Sequence, residues 1–159
     1  MAEIQISILD KTDEVAVKAV TRLFADYYAY FHSLNIDLPL VPDGETLWMQ
    51  SVLPSLGRMA HLPVALHNGT IIGFAHGSLK LLPPHLGEHK VGVVQHMYVA
   101  QTYAGQGIAG QLAAALETWF REKQVHSVEL QVIRGNDSAT AFWEKMGYQL
   151  ELKQFRKRL

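Results

Sequence analysis

Residues 91–120, VGVVQHMYVAQTYAGQGIAGQLAAALETWF, constrain the fold more than any other stretch of this chain. They open as a run of β-formers and pass through Gly105, Gly107 and Gly110. Helical spacing then puts Ile108, Leu112, Leu116 and Trp119 on one stripe. A strand feeding a glycine turn feeding a helix is a ready anion site. The turn and the first helical turn both leave backbone N–H groups without partners. Glycines there permit positive φ and close approach of a ligand to the backbone.

Two uses of such a turn fit poorly. The phosphate loop of NTPases needs Lys and then Ser or Thr after its last glycine, and Gln111 and Leu112 stand there. The dinucleotide fingerprint G-x-G-x-x-G is satisfied, with Glu129 downstream, and would imply a nicotinamide-dependent oxidoreductase. That fingerprint usually opens its domain, whereas here one further strand–helix–strand unit follows. The ribose-binding acid should end a strand, and Glu129 sits inside SVELQVI.

A third use fits both ends of the segment. YVAQTYAGQGIAGQL resembles motif A of the GNAT (GCN5-related N-acetyltransferase) superfamily, with Ala104, Gly105, Gln106, Gly107, Ile108 and Ala109 at its core. NDSATAFWEKMGYQL resembles motif B, with Asn136, Phe142, Trp143, Gly147 and Tyr148 in place. NGTIIGFAHG is similar to the hairpin that precedes motif A in that family. The resemblance runs from about residue 62 onward. It implies an α/β (α+β) GNAT fold: a mixed, mostly antiparallel sheet of six or seven strands, with about four helices on both faces.

The resemblance also implies a chemistry, transfer of an acetyl group from acetyl-CoA to a primary amine. The strands at 91–99 and 126–133 are expected to splay. The pantetheine arm would lie in the split, against the backbone of Met97, Tyr98 and Val99 and near Asn136 and Trp143. The pyrophosphate would sit on the N–H groups from Gly105 through Gly110. No Lys or Arg lies between Lys90 and Arg121, and Ala104 occupies the place of the family's Arg or Gln. Backbone N–H groups and the helix dipole must therefore carry that anion.

An amine nucleophile must shed a proton. Relatives often carry a carboxylate on either central strand. One usual place, on the second, is Gln131; on the first stand Gln95 and His96, and neither Gln can act as a base. His96 is the candidate base that ordinarily titrates near neutrality, and it also reads as a hydrogen-bonded strand histidine. Glu129 is a candidate through water. Tyr98 is a candidate donor to the departing thiolate, because Trp143 replaces the usual Tyr and its indole N–H is not a practical acid. A non-catalytic acyl-CoA sensor of the same fold is the alternative reading. No metal site is expected, since the His residues show no ligand spacing.

The rest of the chain reads consistently. Residues 3–9 alternate as a strand, Thr12 or Asp13 caps a long helix, and 46–53 form a second helix. The first helix carries Tyr27, Tyr28, Tyr30 and Phe31, which read as core or as the wall of an acceptor pocket. Asn68-Gly69 predicts a type I′ hairpin. Gly73 and Gly77 suggest a bend or bulge. Asn136 or Asp137 caps a helix that stops at Gly147, and 148–159 are expected to form a last strand. Many relatives end in two strands; the second is either missing here or supplied by another subunit, so a homodimer is among the expected partners.

With 159 residues, 48% of them hydrophobic, a single globular domain is expected. A net charge of −1 favours neither nucleic acid nor membrane, and the absence of Cys excludes a disulfide framework. The N-terminus has no signal pattern, so a cytoplasmic address is expected.

Overall fold

The computed structural model describes residues 3–159. In chain order the elements are β1 (Ile4–Ile8), α1 (Glu14–His32), α2 (Gly44–Val52), β2 (Ala60–His61), β3 (Pro63–His67), β4 (Thr70–Leu81), β5 (Lys90–Val99), α3 (Ile108–Glu122), β6 (Ser127–Leu130) and α4 (Asp137–Lys145). The strands make one mixed sheet of order β1-β3-β4-β5-β6, with β2 also on β4. Among the described strands only β5 and β6 pair in parallel, because α3 carries the chain back across the sheet between them. Among the described residues no helix is long and apolar enough to cross a membrane.

Strand alternation sorts side chains to two faces. Ala75, Val94, Leu112, Leu116, Phe120 and Trp143 form one core, under α3 and α4. Phe24, Met49, Leu62, Val64 and Phe74 form the other, under α1 and α2. Local chemistry sets the element ends. Asp13, not Thr12, caps α1 by accepting from the Ala16 N–H at 3.1 Å. Asn68 and Gly69 take φ of 50° and 76°, as a type I′ turn requires.

Helix α3 lies close on the sheet because Gly77 and Gly92 carry no Cβ. A Cβ on Gly92 would come within 2.6 Å of the Phe120 ring, which is itself fully buried. Gly92→Ala is therefore expected to cost about 1–3 kcal/mol of stability by overpacking. Urea denaturation measures this directly. An unchanged midpoint would mean that α3 can ride out from the sheet freely.

Two expectations need correction. Residues 148–159 form no strand. The tail is exposed, with Leu150, Leu152 and Phe155 in solvent at 77–89% relative exposure. Its contacts are made by side chains: Gln154 Oε1 accepts from Gln131 Nε2, and Arg158 pairs with Asp37. A strand needs a partner edge, and β6 offers only four residues. The expected strand at 126–133 is likewise short, pairing with β5 from Val91↔Ser127 to Val94↔Leu130.

Candidate active site

The reason β6 ends at Leu130 lies in β5. In the β4–β5 ladder His76 pairs with His96 and Gly77 pairs with Val94, so Gln95 is an extra, bulged residue. The bulge turns β5 away from β6. Residues 131–133 run on without a partner strand, and the two strands part.

A cleft of about 550 Å³ fills that split. Its floor is the backbone and side chains of residues 94–99 on one side and 130–133 on the other. At one end stand Ala104, Gly105 and Gly107–Gly110. Tyr27, Tyr30 and Phe31 of α1 line it too, as do Asn136, Phe142 and Trp143 at and within α4.

The glycine end leaves backbone donors open to a ligand. Gly105 and Gly107 both have φ of 77°, and Gly107 is the N-cap of α3 without a side-chain cap. Among the described residues none of the N–H groups from Gly105 to Gly110 has a hydrogen-bond partner; the first such bond of the helix is Gln111 N–H to Gly107 O at 3.2 Å. A Cβ on Gly105, Gly107 or Gly110 would meet nothing within 4 Å. These glycines are thus not there for packing. They hold open a space bordered by backbone donors and the positive end of a fifteen-residue helix. Donor set and open space both fit a pyrophosphate.

Asn136 caps α4: its Oδ1 accepts from the Ala139 N–H, and also from the Ser138 hydroxyl at 3.3 Å and the Tyr30 hydroxyl at 3.4 Å. The last of these ties the end of α1 to the start of α4 across the cleft. Trp143 is buried, edge-on to Phe142 and to Tyr148. Tyr148 lies behind it, outside the cleft. Burial and the nearby Glu117 push the Tyr148 phenol up to about 12.

His96 lines the cleft, and sequence reading missed its partner. His76, one strand over, stacks on it, with the two Nδ1 atoms 3.1 Å apart. Phe24, Tyr27 and Trp48 close round the His96 ring. Burial, with His76 beside it, lowers His96 to about 3; burial lowers His76 to about 4. Both rings are then neutral at pH 7. One donates Nδ1–H and keeps a bare Nε2; the other accepts and carries Nε2–H. A general base works best with a pKa near the operating pH, so this His96 is a hydrogen-bonding wall rather than a strong proton acceptor. No sequence signal marks the pair, because the Gln95 bulge decides which residues of β4 and β5 face each other.

The other candidates are placed as follows. Met97, Tyr98 and Val99 line the cleft. The Tyr98 phenol is raised by burial and by Asp26. The Tyr27 phenol is raised chiefly by burial, against which the Met97 backbone N–H acts. Gln131 faces the cleft, whereas Gln106 and Glu129 are not part of its lining. Glu129 is instead ion-paired with Lys80, both half-exposed. Arg134 donates to the Asn35 carbonyl at 3.0 Å, which holds the α1–α2 loop.

The sequence model of the acetyltransferase (GNAT) family matches residues 21–148. No curated protein is similar in sequence. Solved structures that share the fold include three acetyltransferases. An aminoglycoside N-acetyltransferase in complex with CoA is 17% identical, with a TM-score of 0.77 over 100% of this chain and 97% of that one. An aminoglycoside acetyltransferase from an uncultured soil metagenomic sample is 21% identical, with a TM-score of 0.73 over 98% and 96%. A ribosomal-protein-alanine N-acetyltransferase from Brucella melitensis biovar Abortus 2308 is 21% identical, with a TM-score of 0.70 over 99% and 100%. The family match leaves the dinucleotide reading of the glycines without support.

Proposed function

Because this chain belongs to the GNAT acetyltransferase family, and is thus an acyltransferase, we propose that it moves an acetyl group from acetyl-CoA to a primary amine of a small molecule or a peptide. The observation that carries this is the run of unpartnered N–H groups from Gly105 to Gly110, opening into a cleft where β5 and β6 part.

The residues take the following roles in this reading. The N–H groups of Gly105–Gly110 hold the pyrophosphate, with Gln106, Ile108 and Ala109 contributing backbone only. The backbone of Met97, Tyr98 and Val99, freed from β6 by the bulge, holds the pantetheine arm. Asn136 keeps its amide NH₂ for the same arm while its Oδ1 caps α4. Trp143 packs beside the arm. Acetyl-CoA supplies an activated thioester. The amine nitrogen forms the new C–N bond as C–S breaks, one proton leaves the nitrogen, and the thiolate takes one up.

The protein's share of deprotonation follows from the cleft's walls. A protonated amine entering an apolar cleft loses hydration, which lowers its pKa and favours the neutral nucleophile. His96, neutral and fixed by His76, can accept or donate a hydrogen bond to that nitrogen. Tyr98 is the phenol on β5 that can supply the thiolate's proton.

The test is direct. CoA or acetyl-CoA should raise Tm, by linkage about 2.7 kcal/mol of stabilisation at ~100-fold excess over Kd, and NADH should not. Acetyl-CoA with a suitable amine should release free CoA thiol. Stabilisation by NADH, and none by CoA, would sink the proposal.

A further inference from the structure

Among the described residues no Asp, Glu, Lys or Arg lines the cleft. Its polar groups are neutral: Gln95, His96, Gln101, Gln131, Asn136 and Ser138 among them. The carboxylates on neighbouring elements are already matched or lie outside. Glu129 pairs with Lys80, and Asp37 pairs with Arg158. Asp26 is exposed on α1, outside the lining, near enough to Tyr98 to help raise its phenol.

Opposite this neutral floor stands an aromatic wall. Tyr27 and Phe31 lie with ring centroids 4.3 Å apart, and Tyr98 meets Tyr27 edge-on at 6.0 Å. Tyr30 is held in place by its bond to Asn136. The wall belongs to α1, and the anion-binding turn stands at the start of α3. The cleft therefore has an anion-binding end and an aromatic side.

We propose that the acceptor is a monoamine on an aromatic body, an arylalkylamine, with its ring on Tyr27, Tyr30 and Phe31 and its nitrogen toward the Gln95 bulge. This rests on the acetyltransferase reading above. One ammonium can shed its proton on entry. Each further ammonium of a polycation would be desolvated against a lining that holds no carboxylate, which is costly. Aromatic rings, in contrast, meet aromatic walls in stacked or edge-on contact, and a single cation is drawn to their faces. The cleft must also hold a pantetheine arm, so the room left suits one ring and not a chain of amino sugars.

The experiment compares kcat/KM of the full chain with acetyl-CoA and four acceptors: 2-phenylethylamine, spermidine, kanamycin and a short peptide with a free N-terminus. CoA release and product mass are read together. We expect 2-phenylethylamine to lead each of the others by at least about tenfold. Phe31→Glu, which adds a carboxylate to the wall, should raise KM for 2-phenylethylamine about tenfold and improve spermidine. The CoA-induced rise in Tm should be kept, showing that the variant is folded. Phe31→Leu should keep the wild-type order of acceptors. A lead by spermidine, kanamycin or the peptide overturns the proposal and leaves acetyl transfer standing. Acetylation of none of the four, with CoA bound, overturns the acetyl-transfer reading and this proposal with it.

Discussion

Gly110→Asp is expected to abolish the rise in Tm that CoA produces, while the free protein unfolds at the same temperature or slightly higher. The two readouts have opposite signs for separate physical reasons. Gly110 is the third residue of α3, its φ is not positive, and a Cβ there meets nothing within 4 Å. Replacing glycine inside a helix gains about 0.5–1 kcal/mol in backbone entropy for a good helix former, and less for Asp. A carboxylate in the first turn adds about 0.3–1 kcal/mol through the helix dipole. The same carboxylate fills the open space over the N–H groups and repels a pyrophosphate. At about 4–5 Å and an effective dielectric near 20, one pair of like charges costs roughly 3–4 kcal/mol. That is a loss of at least about 10²-fold in affinity.

Gly107→Ala is the contrast that locates the effect. Gly107 sits at φ 77°, where an L side chain costs roughly 1–2 kcal/mol. That variant should lose stability in the free protein, whereas Gly110→Asp should not. Isothermal titration with CoA and thermal unfolding of the apo proteins check both. If Gly110→Asp binds CoA normally, the glycine turn is not the pyrophosphate site.

What could be read from the residues was local. The Asn68-Gly69 turn and the Gly147 stop each follow from a few neighbouring side chains and their φ preferences, and the caps could be narrowed to neighbours, Thr12 or Asp13 and Asn136 or Asp137. The glycine turn and the helix it opens were equally legible, since glycine spacing and helical periodicity both lie within about fifteen residues. The shape of the cleft was not. It depends on Gln95 being bulged, which is a property of the β4–β5 register and not of either strand's pattern. That register also sets His96 beside His76, and burial of His96, with His76 next to it, lowers the basicity expected of it. The role of α1 was open in the sequence, because Phe24, Tyr27 and Phe31 fall on nearly the same stripe. Only the position of α1 on the sheet sends Phe24 into the core and Tyr27 and Phe31 to the cleft. The tail misled for a related reason: strand-like alternation at 148–152 needs a neighbouring edge, and periodicity cannot say whether one is there.

The paired histidines should make this protein acid-sensitive well above the range in which carboxylates titrate. Unfolded, both imidazoles take up a proton near pH 6.5; folded, His76 does so near about 4 and His96 near about 3. Between these values the unfolded chain binds protons that the folded chain excludes, so stability rises with pH. The contribution is fully present above about pH 6.5 and is lost as pH falls toward 4 and then 3. With both groups titrating, the slope reaches about 2–3 kcal/mol per pH unit, which is large against a total stability of about 5–15 kcal/mol. His61, also lowered by burial, adds to the slope in the same direction. The double variant His76→Leu/His96→Leu isolates the pair, since it removes both partners and leaves neither unpaired. It should match the wild type within about 1–2 kcal/mol at pH 7.5. Between pH 6.5 and 4.5 its stability should fall much less steeply in urea denaturation. NMR of the wild type should show both rings still neutral at pH 5. If the double variant keeps the wild-type acid slope, burial of the pair does not set their protonation, and His96 regains its place as a proton acceptor in the cleft.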